Sequence, residues 1–362
     1  MSIQAAQQMG FTCLSLDPSG ESPASQVAPA VTGSLSNVEA VAQLFRNCAR
    51  VTLENEFIPA EVIVQALELS GRDPSTLVPN VEALATIQDK LKQRQALAKA
   101  GVPGPRAVEI DSDGVGAVAK IGFPMVLKAR FGGYDGKGTR YAKSKEEFED
   151  LRSTWSDGGW MAEEFVDFKR ELAVMVFRDP VQQGAFPTME TVQVKSVCDL
   201  VFPADVDASE VAMAAVEAVD GFGLFGVELF ETNDGKFLIN ELAPRPHNTG
   251  HYTLNWGGPS QFQHHVRLVL GLPPAPLDGV PTCMANLLGQ PGAGDWRQGL
   301  FAATVKDPAV AVHWYGKAVA APGRKMGHLN VAGADCVARA KAARERFYAA
   351  WTAKESVPEE IG

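Results

Sequence analysis

The sequence is short of basic charge, with 33 Lys and Arg against 43 Asp and Glu and a formal net charge of −10. A chain of that sign does not coat a nucleic acid, and any anionic ligand needs a local basic cluster. Long apolar runs are missing too. No stretch reaches the roughly 18 residues of a membrane helix, and no basic n-region precedes an apolar stretch. The expectation is a cytoplasmic protein with no membrane partner. Cys13, Cys48, Cys198, Cys283 and Cys336 are scattered, odd in number and without a CxxC pair. That excludes a disulfide framework and points to reduced thiols that pack as small hydrophobes. No internal repeat or low-complexity tract is visible. What remains is ordinary for a globular chain: 362 residues, 46% hydrophobic and 21% charged, enough for two or three domains.

The first part of the chain alternates two kinds of segment. FTCLSLDP (11–18) and RVTLEN (50–55) read as strands. SNVEAVAQLFRNCA (36–49) reads as a helix capped by Ser36, and PAEVIVQALELSG (59–71) as a helix with Pro59 at its start and Gly71 just past its end. Such alternation predicts a parallel sheet with crossover helices. One long helix is expected over 81–100, closed by GVPGP, the punctuation of a domain hinge. From Phe123 the pattern turns to strands: FPMVLKAR, WMAEEFV, RELAVMVFRD and TVQVKSVCDLVFPA, a largely antiparallel sheet. A last section has short strands around Ala285, His313 and Leu329, then a helix over 334–353. The expected fold class is α/β followed by α+β. Its domains are 1–79, 80–272 (a linker over 80–104, a small subdomain over 105–166, a larger one over 167–272) and 273–362.

FGVELFETNDGKFLINEL carries the most chemical information. Asp234-Gly235 is a strong two-residue hairpin signal, and pairing Asn233 with Lys236 places Glu228 directly opposite Glu241. Facing carboxylates repel and weaken a sheet unless a divalent cation sits between them. Mg²⁺ takes one or two carboxylates plus substrate phosphates. Glu241 also runs straight into APRPHNTGHYT, a polar stretch stiffened by Pro244 and Pro246. Upstream, VLKARFGGYDGKGTRY sets Lys128 before a loop with four glycines and Lys137, the composition of a phosphate lid. It is neither a Walker motif nor a dinucleotide fingerprint. In WMAEEFVDFKREL a strand ends in acidic residues and Glu171 follows, a carboxylate suited to ribose hydroxyls. Late in the chain, HWYGKAVAAPGRKMGHLN clusters Lys317, Arg324 and Lys325, and Arg324 offers a bidentate fork for phosphate.

GGYDGKG, GVELF, NELAPRPHNTGHYT, SQFQHHVRLVLGLP and YGKAVAAPGRKMGH, in this order, resemble the ATP-grasp superfamily. Within it they resemble the 5-(carboxyamino)imidazole ribonucleotide synthetases of purine biosynthesis, across nearly the whole chain. The resemblance implies an N-terminal α/β domain, a central ATP-grasp domain clamping ATP between two sheets, and a small C-terminal domain. It implies that bicarbonate attacks the γ-phosphate of ATP, giving carboxyphosphate, and that 5-aminoimidazole ribonucleotide captures the carboxyl group. By the same resemblance Lys90, Lys128 and Lys137 hold phosphates beside Gly133, Gly136 and Asn240. Glu163, Glu164 and Val166 border the adenine, with Glu171 at the ribose. Glu228 and Glu241 hold Mg²⁺, with Mn²⁺ as an alternative ion. Tyr134, Asp135, Arg245, His247 and Asn248 face the imidazole and the carboxyphosphate. Lys317, Arg324 and Lys325 take the ribonucleotide phosphate, with Glu54 or Glu56 lining the site. A homodimer is implied as well.

Family members open with a strand and a glycine-rich loop, whereas MSIQAAQQMGFTC resembles the helix that follows them. The expectation is therefore an opened N-terminal core and a weakened ribonucleotide site. The nearest rival resemblance is to formate-dependent glycinamide ribonucleotide transformylase, where an aspartate is expected at the position of Asn248. A broader rival is a carboxylase such as biotin carboxylase, for which no feature points to a biotin-carrier partner, and a rival of a different class is a nucleotide-binding protein without catalysis.

Overall fold

The computed structural model describes residues 1–111, 114–133, 136–153, 159–292, 294–317 and 319–352. Strand Phe168–Arg178 shows how the centre is built. Its alternate side chains leave in opposite directions. Leu172, Val174 and Val176 enter one core with helix Ser209–Ala218, while Met175 and Phe177 enter another with Tyr252 and Trp256. A strand covered on both faces needs a near-continuous apolar run, and ELAVMVF is one.

Among the described residues, nine strands form one antiparallel sheet. Its order is Phe237–Ala243, Gly223–Thr232, Phe168–Arg178, Met189–Val194, Val197–Pro203, Thr282–Leu288, Lys325–Ala332 and Ala311–Trp314, with Gln183–Ala185 paired onto Phe168–Arg178. A second, four-stranded sheet runs Ala107–Glu109, Trp160–Glu164, Met125–Ala129, Thr139–Ala142. The N-terminal part holds helices Val38–Asn47 and Ala60–Ser70 over a core of Val41, Phe45, Ile63 and Leu67. Its expected single parallel sheet is found as two separate parallel pairs, Ser15–Asp17 with Ala30–Thr32 and Val51–Thr52 with Leu77–Val78. The second pair leans on helix Gln261–Val269, where Thr52 Oγ1 meets His265 Nε2 at 2.7 Å. The opening residues do form a helix, Ser2–Gln8, which packs Ala5 and Ala6 on Phe262 and Val266 of that same helix.

Four local expectations change. Asn37, not Ser36, caps the first of the two N-terminal helices, its Oδ1 accepting from Ala40 N at 3.1 Å. Gly71 ends the next helix in the left-handed region, as expected. The long helix is broken in two, Val81–Gln88 and Lys90–Lys99. Asp89 is extended between them, and its carboxylate takes Leu91 N and Lys92 N while Arg130, just past strand Met125–Ala129, binds it through its guanidinium. TVQVKSVCDLVFPA is a hairpin, Met189–Val194 and Val197–Pro203, turned by Lys195 and Ser196 at positive φ. No glycine or asparagine marks that turn. The GVPGP segment is tied down, with Pro103 O accepting from Ile239 N at 2.9 Å.

Candidate active site

The two sheets face each other across a cleft of about 550 Å³. Glu228 and Glu241 are register partners on strands Gly223–Thr232 and Phe237–Ala243. The route to that register differs from the expectation. Thr232 pairs with Lys236, so the turn has three residues, with Gly235 at φ 79°. This displaces the register by one residue. A bulge between Glu228 and Leu229 restores it at Asn240, before the carboxylates are reached. Arg94 pins the bulge, donating to Ile239 O at 2.9 Å and Asn240 O at 2.7 Å.

The electrostatics around the pair are uneven. Burial, then the charges of Glu241 and Glu171, pushes Glu228 up to about 7. Burial acts on Glu241 as well, but Lys90, 2.9 Å away, together with Lys128 and Arg94, reverses it and holds Glu241 below its ordinary value. Two carboxylates and a neighbouring amide fit a divalent cation whose shell is completed by phosphate oxygens. No group of three or more His, Cys, Asp or Glu side chains able to hold a metal occurs among the described residues.

Lys90 starts the second half of the broken helix, so Asp89 aims it into the cleft. Lys128 comes from the smaller sheet; its Nζ lies 2.7 Å from Glu163 and 3.3 Å from Asn240 Oδ1. Burial lowers Lys128, against the pull of Glu163. Burial raises Glu163, but Arg94 and Lys128 more than reverse that and leave it at about 2. Its side chain is thus committed to two cations, while Glu164 pairs with Arg106 at 2.7 Å. Val166, Phe165, Phe168 and Tyr141 give the cleft an apolar end, where Phe168 stacks on Phe230 at 4.5 Å. Glu171 lines the wall beside them and is raised by burial. Gly133, Gly136 and Lys137 also line the cleft; Gly136 has φ 75°, and a Cβ there would meet the Ser196 side chain at 2.6 Å. Tyr134 and Asp135 lie outside the described residues.

The polar run after Glu241 crosses directly over Gly226, where a Cβ would lie 2.5 Å from that of His247. It is clamped by Gln261, wholly buried at the start of helix Gln261–Val269. Gln261 accepts from His247 N at 2.9 Å and donates to His247 O at 2.8 Å. Arg245 forms a two-pronged ion pair with Glu56 of the N-terminal part, one bond at 2.7 Å. His247 Nε2 stands 3.8 Å from Glu228 Oε1, and burial, followed by Arg245 and Lys325, drives its pKa well down, so it is neutral at pH 7. Asn248 pairs with Asn286.

Glu54, Glu56, Lys317 and Lys325 also line the cleft, with Lys317 Nζ donating to Lys325 O at 2.7 Å. Arg324 does not line it. Its side chain is exposed on the preceding turn and donates to Val319 O at 3.0 Å. The structure therefore gathers the described candidate residues in one cleft, with Arg324 outside. It adds Arg94, Gln261, Asn286, Cys198, Tyr315 and His251. The start of the helix that carries Gln261 could have been found, because SQFQ holds the Ser260–Gln263 capping box that opens it. Nothing in the sequence marks Asn286 or Arg94.

An ATP-grasp domain matches residues 95–262, a ribonucleotide synthetase preATP-grasp domain residues 1–88, and a phosphoribosylaminoimidazole carboxylase C-terminal domain residues 282–343. The N5-carboxyaminoimidazole ribonucleotide synthase of Mycobacterium tuberculosis is 40% identical over 353 residues, spanning 92% of this chain and 81% of that protein. The chain belongs to the N5-carboxyaminoimidazole ribonucleotide synthase family. Solved members superpose closely on this synthase-family chain. The Staphylococcus aureus synthetase complexed with ADP has a TM-score of 0.86 at 29% identity, covering 96% of this chain and 93% of that one. The Aspergillus clavatus synthase, solved with ADP and 5-aminoimidazole ribonucleotide, has 0.84 at 31%, covering 97% and 94%.

Proposed function

We propose that this chain carboxylates 5-aminoimidazole ribonucleotide to 5-(carboxyamino)imidazole ribonucleotide at the expense of ATP and bicarbonate, in purine biosynthesis. The observation that carries the reading is one cleft with its carboxylate pair at the centre. Its lining also holds Lys90, Lys128 and Lys137, a set of aromatic side chains, and Arg245, His247 and Asn248. Lys90, Lys128 and Lys137 take the ATP phosphates, and the phenylalanine end takes the base. Glu228 and Glu241 hold Mg²⁺, which when bound neutralises charge on the phosphates. Arg245 orients bicarbonate for attack on the γ-phosphorus; the bond to ADP breaks and carboxyphosphate forms. The amine of the ribonucleotide, held by His247 and Asn248 with its phosphate toward Lys317 and Lys325, then takes the carboxyl group and phosphate leaves. The protein's share is positioning and charge stabilisation, so rigidity in the polar run matters more than any single proton transfer. The glycine loop keeps water from the reactive anhydride. In the same reading the enzyme is a cytoplasmic homodimer.

The test is ADP release with Mg²⁺-ATP and bicarbonate, with and without 5-aminoimidazole ribonucleotide, using glycinamide ribonucleotide plus formate as control. Stimulation by the imidazole alone supports the reading. Stimulation by the glycinamide pair, or by neither, overturns it.

A further inference from the structure

Asn286 sits in the middle of strand Thr282–Leu288, wholly buried, far from Asn248 in sequence but facing it. The two amides bond reciprocally: Asn248 Nδ2 donates to Asn286 Oδ1 at 3.1 Å, and Asn286 Nδ2 donates to Asn248 Oδ1 at 2.7 Å. Such a pair is satisfied equally well if both amides flip together. A third bond removes that freedom. Asn286 Nδ2 also donates to Cys198 O at 2.7 Å, and a backbone carbonyl can only accept. The backbone therefore fixes the orientation of Asn286, which in turn fixes Asn248.

We infer that Asn286 is a positioning residue for acceptor specificity, setting which edge of the Asn248 amide donates and which accepts. This rests on the reading that Asn248 faces the acceptor. The pair uses one N–H and one lone pair of Asn248 and leaves one of each, in fixed order, for a ligand carrying both N–H donors and a ring-nitrogen acceptor. A carboxylate at position 248 would set an oxygen against Asn286 Oδ1 with no proton between them, so this strand selects an amide there. The C-terminal part thereby contributes to acceptor choice through a residue buried beneath the site.

The test measures KM for 5-aminoimidazole ribonucleotide and for ATP separately in Asn286→Asp, in Asn248→Ala and in the double variant. A lost hydrogen bond with a repulsive contact in its place predicts a rise of about tenfold in the ribonucleotide KM, with the ATP KM little changed. In the Asn248→Ala background the second substitution adds nothing. If thermal melting shows Asn286→Asp unfolded, Asn286→Ser is used and must give the same split. Equal rises in both KM values, no rise, or an effect undiminished without the Asn248 amide overturn the inference. A wild-type chain that ignores the ribonucleotide defeats the proposed function itself, a result distinct from these.

Discussion

At the scale of single residues, Glu228 is the clearest case of a side chain placed against its own interest. Its raised pKa means that the native state binds the proton more tightly than the unfolded chain does. The stability this contributes is fully present below the ordinary glutamate value and is lost as pH rises through about 7. Glu228→Gln removes that dependence. In metal-free protein at pH 8 the substitution is expected to stabilise by up to about 3 kcal/mol, a gain that fades toward pH 4.5. Millimolar Mg²⁺ with ATP should reverse the order, because under the proposed function only the wild type offers both carboxylates to the ion. Melting curves at pH 4.5, 6, 7 and 8 check this, and a flat difference would refute it. The basic residues of the last section separate in the same way. Lys317→Ala should raise the ribonucleotide KM severalfold, whereas Arg324→Ala, outside the cleft, should leave it within about twofold. Steady-state kinetics at saturating ATP decide between them.

At the scale of elements, the break at Asp89 is the device that matters. Asp89 caps one helix, binds Arg130 at the end of strand Met125–Ala129 and points the next residue, Lys90, at Glu241. Asp89→Ala removes cap and ion pair together, an expected loss of about 3 kcal/mol with a raised KM for ATP. Asp89→Asn keeps an acceptor for the cap and should cost less than half as much. Denaturant melts give the first quantity and initial rates the second. Local signals of this kind were only partly legible in the sequence. Gly71 ended its helix where expected because a left-handed residue is marked by glycine. The Lys195-Ser196 turn was invisible because neither residue favours positive φ. The Glu228–Glu241 pairing was read correctly although the turn was one residue longer than expected. Asp89 could not be read as a breaker, because its second partner, Arg130, lies 41 residues along the chain.

At the scale of the whole molecule, Arg94 holds the two sheets in register. It joins Glu163 of the smaller sheet, at 2.5 Å, to the carbonyls of Ile239 and Asn240 on the larger. Arg94→Met strands a buried carboxylate with Lys128 alone and two carbonyls without donors. The expected cost is about 4 kcal/mol, and Arg94→Lys should recover only part of it, since a single ammonium cannot serve three acceptors arranged for a guanidinium fork. Equilibrium unfolding of both variants tests this; a loss under about 1 kcal/mol for Arg94→Met would show that the sheets are joined otherwise. Joints of this type are what a sequence hides. Fold class and the outline of the cleft followed from local patterns and family resemblance, while Arg94 and Asn286 act between elements far apart in the chain.

The bulge at Asn240 also has a practical consequence for protein engineering. Arg94 anchors the strand at that irregularity, through Ile239 O and Asn240 O, so the geometry of the carboxylate pair no longer depends on the length of the hairpin tip. The tip, Asn233 to Gly235, is exposed. Foreign sequence spliced in there, such as an epitope or a fluorescent reporter, would add mass at the periphery without changing which way Glu241 points.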